Sequence, residues 1–223
     1  RDENYEPRKP YWYKRDGNET TTHAERMIAD LEEAEDTLLF SSGMAAALVV
    51  IDQLAQNAHV VIPRAMYHGV LHQFQENADK GRIRISYYEA GNLTELADAM
   101  RNDTVLVWAE TPNNPDWAVT DIQAAADIAH KHGAKLLTDC TGTPPIATKA
   151  LNFGADISLH SATKYLNGHS DVTAGSLSTR DTGPYWENLA VTRRRMGLVL
   201  HSFDAFLLIR GMRTLLLRYE RST

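Results

Sequence analysis

Residues Ser161-Ala162-Thr163-Lys164 directly follow a short apolar run and combine two hydroxyls, at i and i+2, with an amine. The hydroxyls suit a phosphate, and the amine can condense with an aldehyde to form an imine; a polar loop capping the next element uses the same residue types. Asp139 ends the stretch Lys135-Leu136-Leu137-Thr138. A carboxylate buried there needs a partner, because burying an unpaired charge is expensive. A protonated ring nitrogen is one such partner, and a salt bridge or a cap is another. Ser41-Ser42-Gly43-Met44-Ala45-Ala46 joins Thr37–Phe40 to an Ala-rich segment. Small residues at a helix start leave N–H groups and the positive dipole end open to an anion, although such starts are common without one. Tyr67 follows His59–Ile62 across a Pro-Arg turn and can stack on an aromatic ring or fill a core. In Glu110-Thr111-Pro112-Asn113-Asn114-Pro115 the prolines fix a loop that presents Asn114 inward, and this is also good turn chemistry. Each signal is weak alone; their order and spacing are more specific.

The elements that must position these residues alternate in period. Thr22-His23-Ala24-Glu25 reads as a capping box opening a helix, with Met27, Ile28, Leu31 and Ala34 on one face. Apolar runs recur at His59–Ile62, Ile83–Tyr88, Thr104–Ala109, Lys135–Thr138, Asp156–His160 and Val172–Ser178. Helix-length segments lie at Met66–Asn77, Leu93–Arg101 and Ile122–His132, the last followed by Gly133 where a helix end favours positive φ. This alternation predicts an α/β fold with a mostly parallel sheet covered on both faces, in which ligands bind at the carboxyl ends of the strands. Glu110, Asp139 and the His160–Lys164 group stand at such ends. From Tyr185 to Thr223 the pattern turns helical, with Met196, Leu198 and Leu200, then Phe206–Ile209, as apolar faces.

The 223 residues suffice for one large domain, and 43% apolar with 23% charged residues is ordinary globular composition. A net charge of −6 without a basic stripe gives no support to a nucleic-acid-binding reading. No apolar stretch is long enough to span a bilayer, and no signal-peptide pattern is present. The single cysteine, Cys140, excludes an internal disulfide and fits a reducing, cytoplasmic setting. A nucleotide-binding module is disfavoured by the lack of a glycine-rich phosphate loop followed by Lys-Ser/Thr. Both ends read as cut, predicting a longer protein.

Taken together, these motifs resemble the cystathionine γ-synthase/γ-lyase branch of the fold type I pyridoxal-phosphate enzymes. The most specific segment is His160-Ser161-Ala162-Thr163-Lys164-Tyr165-Leu166-Asn167-Gly168-His169-Ser170-Asp171-Val172 with Ala174-Gly175. Tyr13-Lys14-Arg15, Ser41–Ala46, Met66-Tyr67-His68-Gly69, Glu110–Pro115, Asp139-Cys140-Thr141 and Arg210–Leu215 support it in order. The resemblance covers roughly residues 11 to 221 and implies a three-layer α/β/α large domain with a mostly parallel mixed sheet, lacking the C-terminal small domain. It divides the chain into an arm remnant at 1–20 contacting the partner subunit, a cofactor-binding domain at 21–200, and the start of a connecting helix at 201–223.

The resemblance further implies that the cofactor is pyridoxal 5′-phosphate, that no metal is needed, and that Lys164 carries the cofactor and then moves protons. Asp139 would pair with the pyridine nitrogen, keeping the ring an electron sink. Tyr67 would stack on the ring and share in proton transfer. Gly43, Met44, Ser161 and Thr163 would bind the phosphate, Asn114 the 3-oxygen, and Thr141 would join the cofactor set. Tyr13 and Arg15 resemble a pair reaching the neighbouring subunit's phosphate site, implying a dimer with shared sites and a tetramer built from it. The substrate would be a sulfur amino acid or activated homoserine undergoing γ-elimination or γ-replacement. A β-lyase or other C–S lyase is the alternative, and a non-catalytic scaffold is the reading from a different class. His68-Gly69-Val70 departs from the family pattern and carries no cysteine, which weighs against a methionine γ-lyase. Ser170 favours the cystathionine enzymes over sulfhydrylases. Cys140, where the family usually has asparagine, reads as a tolerated neighbour, and no residue here takes the role of the substrate-carboxylate arginine.

Overall fold

The computed structural model describes residue 3 and residues 13–222. Most of the expected arm at 1–20 therefore lies outside the described residues. Eight α-helices and seven strands are described in the order α1 (Glu19–Glu32), β1 (Asp36–Phe40), α2 (Gly43–Asp52), β2 (Ala58–Pro63), α3 (His68–Asp79), β3 (Ile83–Tyr88), α4 (Leu93–Ala99), β4 (Thr104–Glu110) and α5 (Ile122–Lys131). There follow β5 (Lys135–Asp139), a 3₁₀ turn (Ala150–Phe153), β6 (Ile157–His160), β7 (Gly175–Thr179), α6 (Pro184–Met196), α7 (Ser202–Met212) and α8 (Leu215–Ser222).

The strands form one sheet, ordered β1-β7-β6-β5-β4-β2-β3. β7 runs antiparallel to both β1 and β6, while the pairs β6–β5, β5–β4, β4–β2 and β2–β3 are parallel. The apolar runs become strands because both sheet faces are covered, so no position in β2 or β7 escapes burial. On one face α2, α3 and α6 pack through Val49, Val50, Phe74 and Leu189 onto Phe40, Val60, Ile62 and Trp108. Phe74 meets Trp108 edge-on at 5.4 Å. Each of these rings, fully buried, contributes roughly 1.5–3 kcal/mol of transfer free energy. On the other face α4 and α5 cover Val61, Val107 and Leu136, and α1 and α7 cover Leu39 and Ala162.

Two local expectations are corrected. α1 starts three residues before the predicted box: Asn18 is its N-cap and accepts the Thr21 N–H at 2.9 Å. Glu25 does not turn back to cap the helix. It enters the interior, accepting the Leu39 N–H at 3.0 Å and an Arg193 N–H at 2.6 Å. A carboxylate that finds a buried guanidinium gains more there than at a solvated cap. The second correction concerns Leu198 and Leu200, which are not helical. Gly197 takes φ 71° and ends α6, and Val199 then bridges to Phe40 beside the sheet. Gly133, as expected, takes positive φ (70°) after α5.

Candidate functional site

Because β1 and the parallel strands point the same way, their carboxyl ends gather the loops that follow them. α2 follows β1, Tyr67 follows β2, Asn114 follows β4, Thr141 follows β5 and Lys164 follows β6. A cavity of about 370 Å³ opens there, lined by Gly43, Met44, Tyr67, Asn114, Asp139, Thr141, Ser161, Thr163 and Lys164. All nine are residues picked out from the sequence. Ser42, Val70, Glu110, Leu159 and Thr173 complete its wall. Glu110 is recognisable in the sequence as a strand-end acid, but its place opposite Asp139 comes from the β4–β5 register.

One end of the cavity is built from backbone. Ser42 caps α2, its hydroxyl accepting the Ala45 N–H at 2.9 Å and its carbonyl the Ala46 N–H at 3.2 Å. The helix thus leaves the N–H groups of Gly43 and Met44 for an outside acceptor. Gly43 is required because a Cβ would come within 2.9 Å of the Ser161 Cβ. This close approach puts the Ser161 side chain beside the helix start. Ser161 is held from below, its N–H donating to the Thr141 hydroxyl at 2.8 Å.

Lys164 sits in the run of turns after β6. Its N–H donates to Ser161 O at 2.9 Å and its carbonyl accepts the Gly168 N–H at 2.7 Å. Arg218 of α8 fastens the same turn, donating to Tyr165 O at 2.9 Å. The Thr163 hydroxyl donates to Ala174 O at 3.1 Å and accepts the Ala174 N–H at 2.9 Å. It ties the lysine turn to the strand β7, so binding an anion would require its proton to leave Ala174 O. The Lys164 side chain is exposed to the cavity and forms no ion pair among the described residues.

The other end is acidic. Asp139 is buried, 7% exposed, and one oxygen accepts the Thr141 N–H at 3.0 Å. Burial raises its pKa, opposed by its bonds to Thr141 and by the charge on His160. Glu110, 6% exposed, is pushed up to about 8 by burial and then by the Asp139 charge, with backbone N–H groups of Tyr67 and Asn114 opposing the shift. Among the described residues neither acid has a basic side chain within ion-pair distance. Two desolvated carboxylates without a cation favour a positively charged ligand between these walls. Tyr67, 38% exposed, lies over Gly69, where a Cβ would come within 3.0 Å of its ring and of the Met44 sulfur.

Tyr13 and Arg15 do not line this cavity. The Arg15 guanidinium lies 5.1 Å from the Tyr13 ring centroid, and its Nη1 donates to Arg194 O at 2.7 Å. Cys140 is fully buried and its thiol is raised well above the usual range by that burial, so it is a packing residue. Neither a cluster of metal-ligating side chains nor a helix long and apolar enough to cross a membrane occurs among the described residues.

A free lysine amine, a helix start with open N–H groups and a buried acid without a basic partner share one α/β cavity, the groups an aldehyde cofactor with a phosphate and a basic ring would require. Comparisons with known proteins make this specific. Residues 2–223 match the family described as Cys/Met metabolism PLP-dependent enzyme. The chain belongs to that family, whose cofactor is pyridoxal phosphate. It is 40% identical over 216 residues to a cystathionine γ-lyase of Saccharomyces cerevisiae, covering 95% of this chain and 54% of the relative. It is 35% identical to a cystathionine β-lyase of Coxiella burnetii, covering 95% of this chain and 55% of the relative. The crystal structure of metB from Corynebacterium glutamicum superposes with a TM-score of 0.93 at 34% identity, over 97% of this chain and 56% of that one. A cystathionine γ-synthase from Xanthomonas oryzae pv. oryzae, in complex with aminoacrylate and cysteine, superposes with a TM-score of 0.90 at 36% identity, over 96% of this chain and 55% of that one. The chain thus spans about half the length of these relatives.

Proposed function

We propose that this chain is the cofactor-binding part of a pyridoxal-phosphate enzyme of trans-sulfuration. Its reaction would be elimination or replacement at the γ carbon of a sulfur amino acid or activated homoserine, as in cystathionine γ-lyase and γ-synthase. Cleavage at the β carbon is the second reading, supported by the β-lyases among the relatives. The observation that carries the proposal is the shared cavity of Lys164, Asp139 and the start of α2.

The cofactor, when bound, supplies an aldehyde carbon and an electron-withdrawing ring. Lys164 would hold it covalently and exchange protons with the substrate's α and β carbons. Asp139 would hold a proton on the ring nitrogen, a role suited to a buried acid whose charge lacks a cation. The N–H groups of Gly43 and Met44, with the Ser161 hydroxyl, would bind the phosphate. Tyr67 would cover one face of the ring, Asn114 would meet its 3-oxygen, and Thr141 would keep Asp139 in place. Thr163 would serve the phosphate after exchanging its bond to Ala174 O.

The proposal includes a homo-oligomer with shared sites. Tyr13 and Arg15 lie away from their own cavity, as expected of residues serving a partner's. Residues 1–20 would form the arm, 21–200 the cofactor-binding domain and 201–223 the lead into the rest of the protein. The test is absorbance of the purified chain with pyridoxal phosphate, followed by borohydride and peptide mapping. The expected result is a visible band that borohydride removes, leaving the label on Lys164. Retention of a reducible label by Lys164→Ala would overturn the assignment.

A further inference from the structure

Glu110 is the remaining acid of the cavity, and the functions assigned above leave it unused. It closes β4 in register with Asp139 at the end of β5. Its Oε2 accepts the backbone N–H of Tyr67 at 2.7 Å, and the backbone N–H of Asn114 lies near enough to oppose the rise in its pKa. These two backbone positions belong to different loops, one ahead of α3 and one after β4. Tyr67 is moreover the N-cap of α3, and its own side chain makes no capping bond. Its carbonyl is held by the Val70 and Leu71 N–H groups at 3.1 Å each, and its own N–H is held by Glu110.

A carboxyl group kept this dry without a cation is costly. Burial and the adjacent Asp139 together favour its neutral form near neutral pH. An acid held there for charge alone would be better served by a basic partner, and among the described residues none pairs with it. What Glu110 does have is reach: a side chain long enough to span from the strand end to two loops at once.

We propose that Glu110 is a positioning residue that sets the placement of Tyr67 and Asn114, and through them the orientation of the cofactor ring in the cavity. This rests on the function proposed above. The property it requires is side-chain length with an acceptor oxygen, and its charge is secondary. Two substitutions separate these: Glu110→Asp keeps the carboxyl but shortens it by one methylene, whereas Glu110→Gln keeps the length and one acceptor oxygen.

Two readouts are needed. The first is titration with pyridoxal phosphate, followed by visible circular dichroism of the bound cofactor, whose sign and intensity report ring orientation. Glu110→Asp is expected to weaken binding by about tenfold and to change the dichroism, with borohydride still labelling Lys164. Glu110→Gln is expected to recover most of both. The second readout does not use the cofactor: amide hydrogen exchange at Tyr67 and Asn114 should accelerate in Glu110→Asp and return toward the parent rate in Glu110→Gln. Unchanged exchange and dichroism in Glu110→Asp would overturn the proposal, as would Glu110→Gln proving as impaired as Glu110→Asp. A parent chain that never labels at Lys164 would refute the proposed function, leaving the exchange experiment to judge Glu110 on its own.

Discussion

On the α1 side of the sheet the inward-facing acids are matched with bases: the half-buried Glu25 lies 2.6 Å from Arg193, and the buried Glu32 meets His160 with support from Ser158 at 2.9 Å. At the cavity, Asp139 and Glu110 are about as well buried and have no such match. Burial raises Glu25 as well, but there the Arg193 charge and hydrogen bond counter it. The first region pairs its acids without a ligand and holds α1 and α6 to β1, with Glu32 Oε2 and Arg193 Nε left without a hydrogen-bond partner. The second leaves its acids without a cation, so burial there favours their protonated forms, at the expense of the apo fold. A buried acid is thus a structural tie in one place and an unpaired wall of a cavity in the other.

The largest expected effect comes from breaking the matched side. Arg193→Ala leaves Glu25 buried beside the Leu39 N–H without its cation, and should destabilise the chain by about 3–5 kcal/mol. Thermal unfolding would show this as a fall of roughly 10 °C. The double variant Glu25→Leu with Arg193→Met should recover most of the loss, since a packed apolar pair replaces a desolvated one. If Arg193→Ala is silent, the two regions do not differ as described.

A smaller and opposite effect is expected at the cavity. Asp139→Asn should leave the cofactor-free chain as stable as its parent or more so, while weakening pyridoxal phosphate by about 10- to 100-fold through loss of a charge-assisted bond. Equilibrium titration beside a melting curve reads both. A variant that lost stability and kept affinity would place Asp139 with the matched acids.

A further contrast sharpens the comparison through pH. For Glu110 the folded value, about 8, lies above the ordinary 4.5. Below pH 4.5 both states hold the proton. Between 4.5 and 8 the unfolded chain releases it and the folded chain keeps it, so this group's contribution to stability falls as pH rises, levelling off above 8. Asp139 acts in the same direction. Glu110→Gln should therefore gain on the parent in melting temperature from pH 5 to pH 8 without cofactor, and a constant difference across that range would refute the assignment.

These contrasts also mark what the sequence alone conveys. The strands His59–Ile62, Ile83–Tyr88 and Thr104–Ala109 were legible within a residue of their ends, because a sheet covered on both faces leaves its strands as unbroken apolar runs. Asp139 stands out in the sequence because it closes such a run, and Lys164 because it follows one by four residues. Glu25 was misread because Thr22–Glu25 satisfies a local capping pattern, while its actual partner Arg193 lies 168 residues away. Leu198 and Leu200 were misread because helical spacing persists past Gly197, and the bridge from Val199 to Phe40 is a tertiary choice. Thr163 offered a hydroxyl in sequence, but its engagement by Ala174 depends on the approach of β7. Glu110 shows the same limit: a strand-end acid is visible, and the register that sets it opposite Asp139 is not.

The insertion of β7 between β1 and β6 has a consequence for how the molecule is made. β1, and with it the α2 start, joins the sheet through β7, Phe40 pairing with Gly175. Gly175 packs so tightly on this junction that a Cβ would fall 2.2 Å from Ser42 O. On the ribosome, residues 36–52 emerge early yet have no strand to join until residues 175–179 follow them out. The α2 end of the cavity is therefore assembled late, after the parallel strands that carry Glu110 and Asp139 have been synthesised. Nascent chains released before β7 should hold these acids without the helix that faces them.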